Sequence, residues 1–159
     1  MDWWKQFKPK ACHLRLEAGT KEGVMEELVA FLVKAKMLGP ELAPAALKAL
    51  SDREKLASTG VGMSVAIPHV KLPGLDRVVC SLSIHPSGVE WAAVDAAPVH
   101  ILFTVLRPDV AGQEHDPLKH LEMMRWVARL ARDGDFRSFA LQARTKADLI
   151  GLLKEMSAV

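Results

Sequence analysis

The sequence predicts a domain of mixed composition, α/β or α+β, built around a central sheet. Three observations predict it. Val99 to Leu106 is an almost unbroken apolar run of strand length, which suits a strand buried on both faces. Before and after it lie segments with helical spacing that open on caps, Thr20 ahead of Lys21 and Asp116 ahead of Pro117. The 159 residues are 50% hydrophobic and 25% charged, the composition of a compact globular chain and not of a disordered or collagen-like one. With no internal repeat and no Gly/Ser/Pro-rich linker, the expectation is one domain over 1–159, long enough to bury a core without staples.

Taken in order, His13-Leu14-Arg15-Leu16 is a short extended candidate. Thr20 caps a helix with Val24, Leu28, Phe31 and Ala35 on one apolar face, and Gly39-Pro40 should end it. A second helix runs from about Pro44 to Leu56 and carries Leu47, Leu50 and Arg53. Ser58-Thr59-Gly60-Val61-Gly62 reads as a turn-rich loop. In Val65-Ala66-Ile67-Pro68-His69, the proline drives Ile67 towards extended geometry and cannot donate to a sheet ladder. A strand end or edge is expected there, with His69 displayed where strand meets loop. Val78, Cys80, Leu82 and Ile84 alternate with Val79, Ser81 and Ser83, the pattern of a half-buried strand. The helix opened by Asp116-Pro117 should reach Arg132, with His120, Met124, Val127 and Ala131 on one side. Asp135 to Ala143 and Thr145 to Met156 complete the set, the latter with Asp148 where a capping box needs an acceptor.

Charge and cysteine usage narrow the function. Lys plus Arg number 21 against 19 acidic residues, and so slight an excess gives no case for a nucleic-acid or membrane-surface protein. Cys12 and Cys80 are too few and too far apart for a disulfide framework or a CxxC site, and free thiols fit the cytoplasm. No uncharged apolar run approaches a membrane span, and the N-terminus has no signal-peptide pattern. Trp3, Trp4 and Phe7 either form an interfacial patch or, as expected, pack on the domain.

Six histidines are the candidates for chemistry: His13, His69, His85, His100, His115 and His120. None forms HExxH or a zinc spacing, so no metal and no cofactor are expected. Gly60-Val61-Gly62 is only a fragment of a dinucleotide fingerprint, and neither a P-loop nor a GxSxG elbow is present. His100 lies inside the apolar strand and reads as a hydrogen-bonded core histidine. His13 and His85 have no distinguishing context, and His115 sits in a polar loop. His69 stands apart because glycines precede it and a proline sets its backbone. His120 shares a helix face with buried-type residues.

Arg53-Glu54-Lys55-Leu56-Ala57-Ser58-Thr59-Gly60-Val61-Gly62-Met63-Ser64-Val65-Ala66-Ile67-Pro68-His69 resembles the phosphorylation motif of enzyme IIA. The family is that of the bacterial phosphoenolpyruvate-dependent sugar phosphotransferase system, in its fructose/mannitol and nitrogen-regulatory branch. The resemblance continues through Val89-Glu90-Trp91, Pro98 to Phe103, Leu106-Arg107-Pro108 and Lys119-His120-Leu121, covering about 20–153. It implies a mixed sheet flanked by helices on both sides. It also implies a phosphate-accepting histidine at His69, with Arg53 and His120 as its active-site companions.

Two departures stand out: Val70 follows the active histidine where Gly or Ala is usual, and Gly62-Met63-Ser64 replaces Gly-Asn-Gly. A neutral imidazole, whose ordinary pKa is near ~6.5, is nucleophilic without an activating base. Arg53 offers a fork of donors to the equatorial oxygens, His120 one more, and backbone N–H groups around Ser58, Thr59, Gly60 and Gly62 a nest. The implied role is a phosphocarrier that takes a phosphoryl group from an HPr-like protein and passes it to an enzyme IIB. The alternative is a IIA-like regulatory module whose output is contact with a target protein, switched by phosphorylation. An apolar rim for docking is expected from Val61, Met63, Val70 and Leu72, although Val61 fits the core equally well.

Overall fold

The computed structural model describes residues 2–110 and 115–158, so the two ends of the expected 1–159 span lie outside the described residues. Two 3₁₀ turns, Trp3–Gln6 and Pro9–Ala11, lead into helix α1, Lys21–Lys34. A further 3₁₀ turn, Pro40–Leu42, precedes α2, Ala43–Leu56. Five strands follow: β1, Gly60–Gly62; β2, Val65–Ala66; β3, His69–Lys71; β4, Val79–Val89; and β5, Val99–Arg107. The chain closes with α3, Pro117–Arg132; α4, Gly134–Gln142; and α5, Lys146–Glu155.

Strand β5 is the centre of a mixed sheet. It pairs antiparallel with β4 along one edge and parallel with both β2 and β3 along the other. β2 and β3 are successive pieces of one edge, opposite Ile101–Leu102 and Val105–Arg107 respectively. They are parted at Pro68, which has no N–H to give the ladder; its carbonyl still accepts from Val105 N at 2.9 Å. The expected strand end is therefore a break between two short strands. His69 opens the second of them.

Alternation along β5 divides the core. Ile101, Phe103 and Val105 face α3, α4 and α5, while Leu102 and Leu106 face α1 and α2. The strand is buried on both faces, as its apolar run predicts. β4 departs from expectation. Ser81 and Ser83 are as buried as the apolar residues between them, because the Ser81 hydroxyl donates to Ala11 O at 2.6 Å. The N-terminal segment thus lies over that strand. Phe7 is buried against Phe103 and Trp126, and Trp3 and Trp4 pack beside it, so this segment is part of the core.

One helix boundary and one buried stripe also differ from the sequence pattern. α1 stops at Lys34, before Gly39, because Lys36 turns left-handed at φ +60° and the N–H groups of Met37 and Leu38 close on Leu32 O. Phe31, against His13, is only half-buried, and Leu32 is the core residue of this turn. On α3 the buried stripe is Met123, Trp126, Val127, Leu130 and Ala131, with Met124 at its margin. Thr145 and Asp148 form the full capping box of α5.

Candidate active site

His69 is half-buried at the start of β3. Its Nδ1 lies 2.8 Å from Ile67 O. A carbonyl only accepts, so Nδ1 must carry the proton and Nε2 keeps its lone pair. The backbone two residues upstream, held extended by Pro68, thereby selects the tautomer. The nitrogen left free to attack is Nε2.

α3 brings His120 to the same place. It is half-buried, its Nδ1 has no hydrogen-bond partner among the described residues, and it faces His115 edge-on with ring centroids 5.5 Å apart. Burial pushes the imidazole down to about 4, and electrostatic interaction with Arg107, His115 and His69 lowers it further. His69 and His120 are therefore close enough to act on each other electrostatically, although a long stretch of sequence separates them. His115 and His120 also wall an open cleft of about 1400 Å³ beneath the N-terminal segment.

Arg53 sits in the last turn of α2, the helix packed against β3. Its Nη1 donates to Ala57 O at 2.6 Å, which uses one of five N–H donors. The neighbouring Glu54, which the sequence pattern gave no role, organises the motif. Its carboxylate, 5% exposed, accepts from Thr59 N, Thr59 Oγ1, Trp91 Nε1 and Lys21 Nζ. Trp91, fully buried, ties this knot to the Val89-Glu90-Trp91 segment. Paired carboxylates and tryptophans at distant positions leave no periodicity, so only the motif itself could have pointed to Glu54.

The Ser58–Gly62 loop is less a loop than a hairpin arm. Ser58 Oγ donates to Trp91 O and accepts from Gly60 N, while Thr59 O accepts from Ile67 N. The Thr59 and Gly60 N–H groups are thus engaged inside the fold, which is a correction to the expected nest. Gly60 is required by close approach, since a Cβ there would lie 2.6 Å from that of Ala93. Beyond it, Gly62, Met63 and Ser64 all have positive φ, at +94°, +56° and +65°, and Asp95 accepts from Met63 N. Two left-handed central residues are the signature of the type I′ hairpin, which favours Asn-Gly.

Of the expected rim, Val61 and Met63 are 43% and 42% exposed, whereas Leu72 is buried at 1%. Leu72 belongs to the core beneath α1 and α2, and Val70 packs half-buried against it. Val94, 82% exposed and next to Gly62, joins the rim in their place. The remaining histidines are bound into the framework. His100 Nδ1 donates to His85 O, His85 Nε2 to Ala18 O, and His13 pairs with Glu27. His100 is half-buried, less enclosed than its apolar neighbours imply. Burial raises the Cys12 thiol to about 11 and that of Cys80 to about 12, so both stay protonated. Among the described residues no helix is long and apolar enough to cross a membrane.

Comparison with known proteins places this geometry. Residues 5–156 match the family model described as phosphoenolpyruvate-dependent sugar phosphotransferase system, EIIA 2. A nitrogen regulatory protein of Bradyrhizobium diazoefficiens is 35% identical over 127 residues, 80% of this chain and 78% of that protein. A PTS system fructose-specific EIIA component of Haloferax volcanii is 31% identical over 137 residues, 86% of this chain and 84% of that one. The crystal structure of the nitrogen regulatory protein IIA-Ntr from Neisseria meningitidis superposes with a TM-score of 0.79 at 25% identity, covering 94% of this chain and 97% of the other.

Proposed function

This chain belongs to the EIIA 2 family of the phosphoenolpyruvate-dependent sugar phosphotransferase system, and we propose that His69 is the residue on which it carries a phosphoryl group. The observation that carries this reading is the bond from His69 Nδ1 to Ile67 O, which leaves Nε2 as the free base. In the reaction, Nε2 attacks the phosphorus of a phosphohistidine on an HPr-like protein. The donor's N–P bond breaks as the new one forms, and no activating base is required because both partners are imidazoles. His120, held neutral by burial, is a hydrogen-bonding companion and not a competing cation. Arg53 has donors left for the equatorial oxygens. Ser58, Thr59, Gly60 and Gly62 support the site by fixing the strand that carries His69, through Ile67 N and Thr59 O. The protein works in the cytoplasm, with an enzyme IIB or a regulatory target as the next partner.

A second reading is favoured by the two relatives named nitrogen regulatory proteins. In it, phosphorylation switches contact with a target protein and no sugar is moved. A single set of measurements tests both. Incubation with phosphoenolpyruvate, enzyme I and HPr should add one PO₃ group to the intact protein, acid-labile and base-stable. His69→Ala should abolish it with the fold retained. Undiminished labelling of folded His69→Ala refutes the assignment. Onward transfer to a IIB protein favours the carrier; stable phosphoprotein with altered target binding favours the switch.

A further inference from the structure

The register of the sheet places one more cation at the site. His69 lies opposite Val105 and Lys71 opposite Arg107 in the parallel β3–β5 ladder. Side chains alternate along a strand, so Val105 and Arg107 project from one face, and so do their partners His69 and Lys71. That face is the one covered by α3, since Val105 packs in the cluster with Met123 and Val127. Arg107 is therefore a diagonal neighbour of His69, at the spacing within reach of a long side chain. Its charge also reaches His120.

The partner of Arg107 is unusual. Its Nη1 lies 3.5 Å from Nε2 of His115, a side chain that is buried to 5% exposure. A guanidinium only donates, so Nε2 accepts and the His115 proton sits on Nδ1. That Nδ1 is buried without a partner among the described residues, and so is Nδ1 of His120 beside it. At 3.5 Å the Arg107 contact is at the outer limit of a hydrogen bond, and among the described residues no carboxylate pairs with this arginine. Among the described residues, then, this guanidinium is held by an imidazole alone, beside imidazole nitrogens without partners, and meets no acceptor of opposite charge.

We infer that Arg107 is a phosphoryl-binding residue, facing the group on His69 from the adjacent strand, and that His115 is the positioning residue that holds its guanidinium. The inference rests on the reading of His69 as the phosphoryl carrier. Transfer exchanges one N–P bond for another. The electron pair of the broken bond stays on the donor imidazole, His69 Nε2 supplies the pair for the new one, and its proton remains on Nδ1. What changes at the site is the negative charge of the phosphoryl oxygens, and Arg107 is the fixed cation that meets it.

The test separates chemistry from docking by using potassium phosphoramidate, a small phosphoryl donor, on the whole chain. Arg107→Gln should slow labelling of His69 by about ten- to a hundredfold, the loss of a charge-assisted bond. Added guanidinium chloride, below denaturing concentration, should restore part of the rate, and Arg107→Lys should fall between. His115→Phe, which keeps volume and removes the acceptor, should slow labelling by a smaller factor and shift the Arg107 Nε–H resonance in ¹⁵N spectra. If the unaltered protein labels but Arg107→Gln labels as fast, the inference falls and the function stands. If the unaltered protein takes up no phosphoryl group at His69 from this donor or from phospho-HPr, the functional reading falls and carries the inference with it. Should Arg107→Gln fail to fold, the unaltered protein decides: its Arg107 Nε–H resonance moves downfield on phosphorylation, and an unmoved resonance overturns the proposal.

Discussion

His120 is an imidazole surrounded by Arg107, His115 and His69, and half-removed from water. Its pKa of about 4 lies below the ordinary value near ~6.5 of an unfolded chain. Between those values the unfolded chain binds the proton and the folded one does not, so stability falls as pH drops through that window. His13 is shifted in the same direction, chiefly by burial, and adds to the loss. The exposed carboxylates of Asp52, Asp95 and Asp148 are lowered from 3.8 and matter only below it. The melting temperature should therefore decline from pH 7 towards pH 4.5, and His120→Gln should make the decline shallower. An identical slope in the variant would contradict the assignment. Phosphorylation at His69, as proposed, would place negative charge beside the same ring, so the phosphoprotein should show the weaker pH dependence as well.

At the scale of elements, the β1–β2 hairpin and the Glu54 knot act in opposite senses. Met63 and Ser64 occupy left-handed conformations that L side chains adopt at a cost of about 1 kcal/mol each. Met63→Asn with Ser64→Gly should relieve it and raise the melting temperature by roughly 4–8 °C, from ~2–4 °C per kcal/mol in a chain of this size. No gain on calorimetry would show the turn to be unstrained. Glu54 gathers four donors from three separate segments. Glu54→Ala strands the Thr59 N–H and a Lys21 that is 16% exposed, leaves Trp91 Nε1 only the Thr59 hydroxyl, and should destabilise the fold by about 3 kcal/mol. Chemical denaturation measures it directly; a loss below about 1 kcal/mol would mean water replaces the carboxylate.

At the scale of the molecule, the exposed side chains of Val61, Met63 and Val94 form an apolar fringe on the hairpin side of the strand bearing His69. Small transient interfaces draw their affinity from a few such residues. Met63→Glu and Val94→Glu should slow transfer from phospho-HPr several-fold and leave labelling by phosphoramidate unchanged, with stability altered by no more than about 0.5 kcal/mol. Equal loss with both donors would place these residues in the chemistry. Leu72→Ala is the contrasting substitution: it opens the core below α1 and α2 and should cost about 2–5 kcal/mol.

The elements were legible because local rules govern them. The apolar run of Val99 to Leu106, the caps at Thr20, Asp116 and Thr145, and the break at Pro68 each act through neighbours in the chain. The Arg53-to-His69 motif likewise marked the family, since its letters are contiguous. What tertiary structure decided lies in contacts between distant segments. Ser81 became a core residue because the N-terminal segment covers it, and Leu72 left the rim because two helices pack over it. Glu54 acquired its role from Trp91 and Lys21, and His120 and His115 met His69 and Arg107 only when α3 crossed the sheet. Local sequence fixes the dihedral preferences of each segment, and hence the elements and the tautomer of His69. Burial, charge proximity and unpaired donors are set by which elements pack together, and no single stretch of the chain encodes them.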